Sequence, residues 1–523
     1  MSVRRALISA HDIAVFYPLA KGLSELGTEL WATSGTMKSL AAKGIKSHST
    51  EELTGIGSWF DGRVKTLHPK LFGGILAPRT AEGEKEMASH EVFPFDLVAV
   101  HLYPFEEALA KGGADFGKMI ELIDVGGPSM LRAAAKNFRW VVPVSGPTEA
   151  EIVLKELREG KGTVSYVTRR ALAAEVFKRT LLYDSAIYSW LGAVVAPKST
   201  TAQAQPLPAM VMRCVTEERL RYGENPHQMS WVYSISSPGV PLTPWPLKVV
   251  KGDALSYNNF LDMETTLSLM SEFEEPAAAV VKHATPCGVA TGSSIEKALE
   301  EAIATDEVAR YGCVIAVNRP ITPTCMDVMK GTFVDLLVAP EYSGEVLERL
   351  AKRPKLKAVR LDGKIEDIVS RPRLEARTAA GRFLVEECDQ RRLSMESLRQ
   401  VSKAKASPEE LKALAFAWRV VRNVRSNAIV LAAGTKTVGI GGGQTSRVGA
   451  VNDALRVAGD RAKGAVMASD AYFPFPDGVE AAISAGVKAI IHPGGSIRDK
   501  EAIEAADRLG VSMYLTGWRV FRH

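Results

Sequence analysis

Residues 5–36 read RALISAHDIAVFYPLAKGLSELGTELWATSGT, and this stretch decides the fold class. Arg5–Ser9 is a short apolar run suited to a buried strand. Val15–Leu26 carries a helical pattern, and Glu29–Thr33 is a second strand leading into Ser34-Gly35-Thr36 and another helix. Strand and helix in alternation imply a parallel α/β sheet with helices on its faces. Asp96–Val100 and Trp140–Val144 extend the pattern, and the mainly helical Tyr166–Val195 closes the unit.

Residues 196–209 read APKSTTAQAQPLPA, rich in Pro, Ser, Thr and Gln and without an apolar face, as an interdomain linker should be. The expected division is therefore 1–195, linker 196–209, and 210–523. The last part is again α/β. Ala277–His283, Cys313–Val317, Asp335–Ala339, Ala428–Ala433, Ala465–Ser469 and Ala489–His492 read as buried strands, and Pro408–Asn423 as a helix. The order of elements in Ala277–Ala339 repeats in Asn427–His492, which points to an internal duplication.

A chain of 523 residues, 46% hydrophobic and 24% charged, has the composition of globular domains, not of disorder or coiled coil. The net charge of +5 is spread out, with no basic stripe for nucleic acid, although it suits small anionic substrates. Five scattered cysteines form no CxxC pair, so neither a disulfide framework nor a zinc knuckle is expected. No run approaches a membrane span, and the N-terminal apolar stretch is too short for a signal peptide. The expected compartment is the cytoplasm.

Several clusters carry chemistry. Arg63-Val64-Lys65-Thr66-Leu67-His68-Pro69 gathers cations, a hydroxyl and an imidazole, as a binding loop or a solvated one would. Tyr103, in Leu102-Tyr103-Pro104-Phe105, follows a strand at the end where α/β sheets bind ligands; a packed aromatic is the plainer reading. Asp124-Val125-Gly126-Gly127-Pro128 precedes a helix bearing Arg132 and Lys136. Its glycines would let backbone N–H groups approach an anion, or form an ordinary turn. Past the linker, Leu220–Gln228 (LRYGENPHQ) is dense in polar and turn residues. Val280-Val281-Lys282-His283 ends an apolar strand before Pro286 and Gly288. Adjacent strand residues face opposite ways, so both side chains reach one ligand only if the strand ends or bends there. A histidine beside an ammonium tends to stay neutral, as a general base must. Gly439–Arg447 (GIGGGQTSR) looks like a phosphate loop but lacks the Gly-Lys-Ser/Thr ending of a P-loop and the spacing and strand context of a dinucleotide site. Nine scattered histidines form neither HExxH nor HxE with PCxxC, so no catalytic metal is expected.

Taken together, RVKTLHP, LYPF, the Asp-x-Gly-Gly turn, LRAAAKN, LRYGENPHQ, the VKH strand end, GGGQTSR, SDAYFPFPDG and the terminal WRVFRH resemble the bifunctional AICAR transformylase/IMP cyclohydrolase family, in its order and over nearly the whole chain. The resemblance implies a methylglyoxal-synthase-like parallel sheet domain and a larger, duplicated, cytidine-deaminase-like α/β domain. It implies formyl transfer from 10-formyltetrahydrofolate to AICAR, then closure of formyl-AICAR to IMP. It also implies a homodimer, with room for a structural monovalent cation. Carried over by motif, His283 would be the base, Lys282 would stabilise the oxyanion, and Asn427 would orient the formyl oxygen. Arg221, Tyr222, His227, Asn259, Gly312, Asp335, Arg447, Arg519 and Phe521 would hold AICAR. Tyr472, Pro474 and Gly495 would line the folate side. In the first domain Lys65, Tyr103, Asp124 and Lys136 would be catalytic. Ser9, Ser34, Gly35, Thr36, Arg63, Thr66, Gly126 and Gly127 would bind the nucleotide, its phosphate at helix N-termini.

Departures from the family pattern cluster in that domain. Asp12-Ile13-Ala14-Val15 stands for Asp-Lys-Thr-Gly, His101 for Asn, and Ala32-Thr33-Ser34-Gly35-Thr36 for Ala-Ser-Gly-Gly-Thr. In the larger domain Arg310-Tyr311-Gly312 replaces a smaller pattern. Cyclohydrolase activity is expected to persist with weakened or rearranged nucleotide binding. The competing readings are a monofunctional transformylase with a degenerate, nucleotide-binding N-terminal domain, a non-enzymatic purine-nucleotide sensor, and a zinc deaminase, which the missing ligands set aside.

Overall fold

The computed structural model describes residues 2–113, 115–195, 211–236, 246–365 and 374–523. The expected linker at 196–209 lies outside them. The chain divides into two compact units, Met1–Val215 with Tyr233–Thr243, and Thr216–Val232 with Pro244–His523.

The smaller unit is built on five parallel strands, β1 (Arg5–Ala10), β2 (Glu29–Ala32), β3 (His48–Ser49), β4 (Leu97–His101) and β5 (Val142–Val144), in the order β3-β2-β1-β4-β5. Successive residues face opposite sides. Ala6 and Ile8 pack with Leu19, Leu23, Val153 and Leu157 on one face. Leu7, Val98 and Val100 pack with Leu71, Met130, Leu131 and Tyr183 on the other. Both faces are covered, which is why these strands are continuously apolar. The chain winds outward from β1 to β3, then returns to the other side of β1 with β4. The carboxyl ends of β1 and β4 therefore flank a switch point, the usual crevice of such sheets. The helix Tyr166–Val195 has the bounds its sequence predicts.

The larger unit holds one twelve-stranded sheet. Its strands are β6 (Leu247–Lys251), β7 (Ala277–Lys282), β8 (Thr285–Thr291), β9 (Cys313–Val317), β10 (Val334–Ala339), β11 (Lys357–Leu361), β12 (Arg399–Gln400), β13 (Ile429–Ala433), β14 (Lys436–Gly441), β15 (Val466–Ser469), β16 (Ala489–His492) and β17 (Ser512–Leu515). The spatial order is β12-β17-β16-β15-β13-β14-β8-β7-β9-β10-β11-β6. Each half repeats one plan. A hairpin (β7–β8; β13–β14) is followed by an antiparallel neighbour of its first strand (β9; β15), two further parallel strands and an antiparallel edge. The halves join where β8 runs antiparallel to β14. Helices Tyr257–Met270 and Pro408–Val421 share one face of the joined sheet. On the other face each half has its own helical layer. The duplication expected from the order of elements is thus present strand by strand.

Gly288 and Gly439 occupy matching hairpin positions, and a side chain at either would collide with a helix carbonyl, of Ala302 or Ala454. A third such approach, Gly441 to Ala450, explains much of GIGGGQTSR. Gly439–Gly441 complete β14, Gly442–Gln444 form a loop, and Ser446 caps the helix Arg447–Ala458. The motif therefore begins inside a strand, but one of an antiparallel hairpin and not of a dinucleotide-binding unit, and two of its glycines serve helix packing.

Candidate active sites

In the smaller unit, Lys65, Tyr103 and Asp124 converge beyond the end of β4. Lys65 Nζ donates to the Tyr103 hydroxyl at 3.0 Å. Asp124 Oδ1 accepts the Gly127 N–H at 2.8 Å, and the Asp124 N–H donates to Tyr183 Oη at 2.8 Å, fixing the turn. A side chain on Gly127 would strike the Asp124 carboxylate, and one on Gly126 would strike Thr66. These glycines bring backbone and carboxylate together. Burial pushes the Asp124 carboxyl above the ordinary range, partly offset by N–H groups of Gly127 and Tyr103 and by Lys65 and His11. A buried carboxyl raised in this way, beside a phenol and an ammonium, suits proton transfer. Lys136 is not brought to the cluster. It ends the helix Gly126–Lys136 whose first turn adjoins Asp124, about 15 Å along the axis at 1.5 Å per residue.

The predicted phosphate loop lies at the start of the helix Ser34–Ala41. Thr33 precedes it without a side-chain cap, and the space above Gly35 is open. The Thr36 hydroxyl is buried and accepts from the Ala10 N–H at 2.9 Å, while Ser9 and Thr33 hydroxyls lie 3.4 Å apart. Ser34 donates to Glu51 at 2.6 Å, and Arg63 pairs with Glu121, so both carry carboxylate partners here. The departures have physical consequences. Ile13 is buried in the sheet's core, so its side chain serves packing where the family has a cation. His101 Nδ1 accepts the Asp12 N–H at 3.4 Å, and His11 stacks edge-on to Tyr103 at 5.6 Å. Burial, then Arg179 and His11, hold the His101 imidazole below its usual pKa, so it is neutral at pH 7.

In the larger unit β7 ends at Lys282, and His283 and Ala284 form the turn, both with positive φ (52° and 53°). His283 is exposed, and Lys282 Nζ donates to the Tyr311 carbonyl at 2.9 Å. The register shifts between Pro286 and Gly288. Because β8 and β14 run antiparallel, the His283 turn lies at the end of the sheet where β14 delivers Gly442–Gln444, and a Cβ on Gly442 would lie 3.6 Å from Thr285. That loop holds Asn427, whose Nδ2 donates to the Gln444 carbonyl at 2.8 Å. The pseudo-symmetry thus brings the Lys282-His283 turn and the loop that holds Asn427, far apart in sequence, to the same end of the sheet.

Asn259 Nδ2 donates to Asp335 at 2.7 Å, and Lys357 Nζ reaches both, at 3.2 and 3.3 Å. Arg221 lies over Tyr222 (5.7 Å) and Arg519 over Phe521 (4.6 Å). His227 and Tyr472 are exposed, as are Pro474 and Gly495, and the Gly495 N–H donates to Asp499 at 2.6 Å. Gly312 takes a positive φ of 76° beside the exposed Tyr311. Arg447, expected to face the nucleotide, is buried and paired with Asp470, which also accepts from Ser426 and from the Ala428 N–H at 3.0 Å. In this geometry Arg447 braces the Ser426–Ala428 segment that carries Asn427. Sequence reading missed Lys357 and Asp470. The latter stood in plain view in SDAYFPFPDG, whereas Lys357 sits in no motif. Among the described residues no three His, Cys, Asp or Glu gather as a metal site, and no helix is long and apolar enough to cross a membrane.

A Lys65–Tyr103–Asp124 cluster at a sheet's switch point and a Lys–His turn in a duplicated sheet are an arrangement suited to a two-site α/β enzyme. Residues 134–457 match the family model "AICARFT/IMPCHase bienzyme", and residues 16–129 match "MGS-like domain". The chain is 43% identical to "Bifunctional purine biosynthesis protein PurH" of Desulfitobacterium hafniense (strain DSM 10664 / DCB-2), over 99% of this chain and 100% of that protein. It is 39% identical to the protein of the same name from Bacillus subtilis (strain 168), over 100% of both. A solved structure titled "Crystal structure of ForH" is 36% identical, matching 36% of this chain and 100% of that one, with a TM-score of 0.32. The chain belongs to the AICARFT/IMPCHase bienzyme family and is a bifunctional enzyme, an AICAR formyltransferase joined to an IMP cyclohydrolase.

Proposed function

We propose that formyl transfer runs at Lys282, His283 and Asn427 in the larger unit, and ring closure at Lys65, Tyr103 and Asp124 in the smaller. The AICAR amine is a weak nucleophile because the ring and carboxamide withdraw its lone pair. His283 takes its proton as it attacks the formyl carbon of 10-formyltetrahydrofolate, a contribution of about 10²–10⁴-fold for a placed base. Lys282 stabilises the oxyanion and assists departure of the folate nitrogen, and Asn427 orients the formyl oxygen. Asn259, Asp335, Arg221, Tyr222, Arg519 and Phe521 hold the nucleotide, and Tyr472, Pro474 and Gly495 line the folate side.

In the smaller unit the carboxamide nitrogen of formyl-AICAR attacks the formyl carbon, and water leaves. Asp124, with its raised pKa, exchanges the proton, and the Lys65–Tyr103 pair supports the oxygen that gains charge. The observation that carries this reading is the Lys65–Tyr103–Asp124 convergence, intact despite Ile13 and His101. The phosphate would sit on the open helix start at Ser34-Gly35-Thr36, with Ser9, Arg63 and Thr66 nearby. We place the enzyme in the cytoplasm, and a homodimer fits the exposed hairpin Leu374–Ala379/Arg382–Glu387, whose Phe383 and Leu384 are 60% and 61% exposed. Lys136, remote within one chain, would join the trio only from a second copy.

Absorbance assays test both halves. AICAR with 10-formyltetrahydrofolate should yield IMP, and so should formyl-AICAR alone. Asp124→Asn should abolish IMP in both mixtures and leave tetrahydrofolate formation in the first unchanged. Tetrahydrofolate formation without any IMP would overturn the cyclohydrolase assignment.

A further inference from the structure

The helix Tyr257–Met270 presents Asn259, Asp262 and Thr265 at three-residue spacing, which places them along one side. Asn259 joins Asp335 and Lys357. Asp262 Oδ1 accepts the Ala284 N–H at 2.6 Å. Thr265, 1% exposed, has its hydroxyl 3.4 Å from the Ala284 carbonyl, the nearer of two acceptors, the other being the Leu261 carbonyl at 3.5 Å. One side of one helix therefore touches the expected nucleotide grip and grasps, on both peptide groups, the residue following the catalytic histidine.

That grasp falls on strained backbone. His283 and Ala284 both occupy the left-handed region that side chains with a Cβ disfavour, and such conformations persist only where surrounding structure enforces them. The two hydrogen bonds to Ala284 are the enforcing contacts on its own peptide groups. We propose that Asp262 is a positioning residue of the transformylase: with Thr265 it locks the Ala284 peptide so that the turn aims His283 at the bound AICAR amine. The shared helix sets the distance between nucleotide grip and base. This rests on His283 being the base.

Asp262→Ala removes the acceptor. It should lower kcat for formyl transfer about 10- to 100-fold, the scale of a misplaced catalytic group, with KM for AICAR changed less than about threefold. Asp262→Asn keeps an oxygen for the Ala284 N–H and should restore kcat to within about fivefold of the parent. AICAR binding by calorimetry verifies the fold of the larger unit, and turnover of formyl-AICAR should be unchanged in both variants. Full kcat in Asp262→Ala overturns the proposal, as does a loss confined to KM. Asp262→Asn as impaired in kcat as Asp262→Ala, while still binding AICAR, overturns it too. If His283→Ala itself transfers formyl normally, the assignment of the base has failed instead.

Discussion

In the first half of the twelve-stranded sheet the hairpin turn is His283-Ala284, with both φ values positive; in the second it is Gly434-Thr435, and only Gly434 is positive, at 60°. The strands around the two turns correspond, and so do the helices packed against them. A tight hairpin needs left-handed residues, and glycine supplies them without steric cost. Gly434 is therefore the solution the fold alone would select. At His283 the same backbone carries a side chain, which under the proposed mechanism is the base, and Asp262 and Thr265 hold through Ala284 what glycine would adopt freely. The buried polar groups reverse this division. The second half encloses Arg447, Asp470 and His492, whereas the last residue of β10, the strand corresponding to β16, is Ala339. The first half puts the strained turn at the surface, and the second encloses an ionic brace behind Asn427.

The two turns should differ most in catalysis. His283→Ala should reduce formyl transfer by about 10²–10⁴-fold and leave formyl-AICAR cyclisation intact. Gly434→Ala should leave both rates alone. The two half-assays on each purified variant decide it, and equal losses in the two variants would mean the turns are not functionally distinct.

The core of this division was legible from sequence. Cys313–Val317 and Ala489–His492 have the bounds their apolar runs predict, because buried strands are apolar throughout. The Lys-His pair was legible as a strand end, although β7 stops at Lys282 and His283 belongs to the turn. β8 and β14 were not read as strands, since Pro286, Gly288 and Gly439 look like breakers and only the packed helices show why glycine is needed. Asp262, Thr265 and Lys357 were illegible for another reason. Each is an ordinary polar residue in its local pattern, and its partner is reached only after the sheet has assembled. Arg447 was legible within its motif, but its pairing with Asp470, at the end of another strand, was not.

A middle-sized effect concerns the bracing half. His492 is fully buried, accepts the Gly494 N–H at Nδ1 at 3.1 Å, and is pushed down to about 3 by burial and by Arg447. The unfolded imidazole titrates near 6.5, so on acidification the unfolded chain takes the proton first. Stability is complete above about pH 6.5 and declines as pH falls toward 3. At pH 5 the loss from this group is about 2 kcal/mol. Urea unfolding midpoints at pH 7.5 and pH 5 should converge for His492→Gln relative to the parent. The same pH dependence in both proteins would show that His492 is not the acid-sensitive brace.

The smallest effect sharpens the contrast between the turns themselves. Ala in a left-handed conformation costs about 1–2 kcal/mol. Gly434→Ala should therefore destabilise the larger unit by about 1 kcal/mol, because the space around Gly434 is open and backbone strain is the only penalty. His283→Gly should do the reverse, gaining up to about 1 kcal/mol as strain is released and losing formyl transfer with the imidazole. The pair of thermal shifts, opposite in sign at corresponding turns, is the measurement. If His283→Gly lowers the melting temperature as Gly434→Ala does, the His283 turn is not held against its backbone preference. Asp262 and Thr265 would then be ordinary contacts rather than the restraint that places the base.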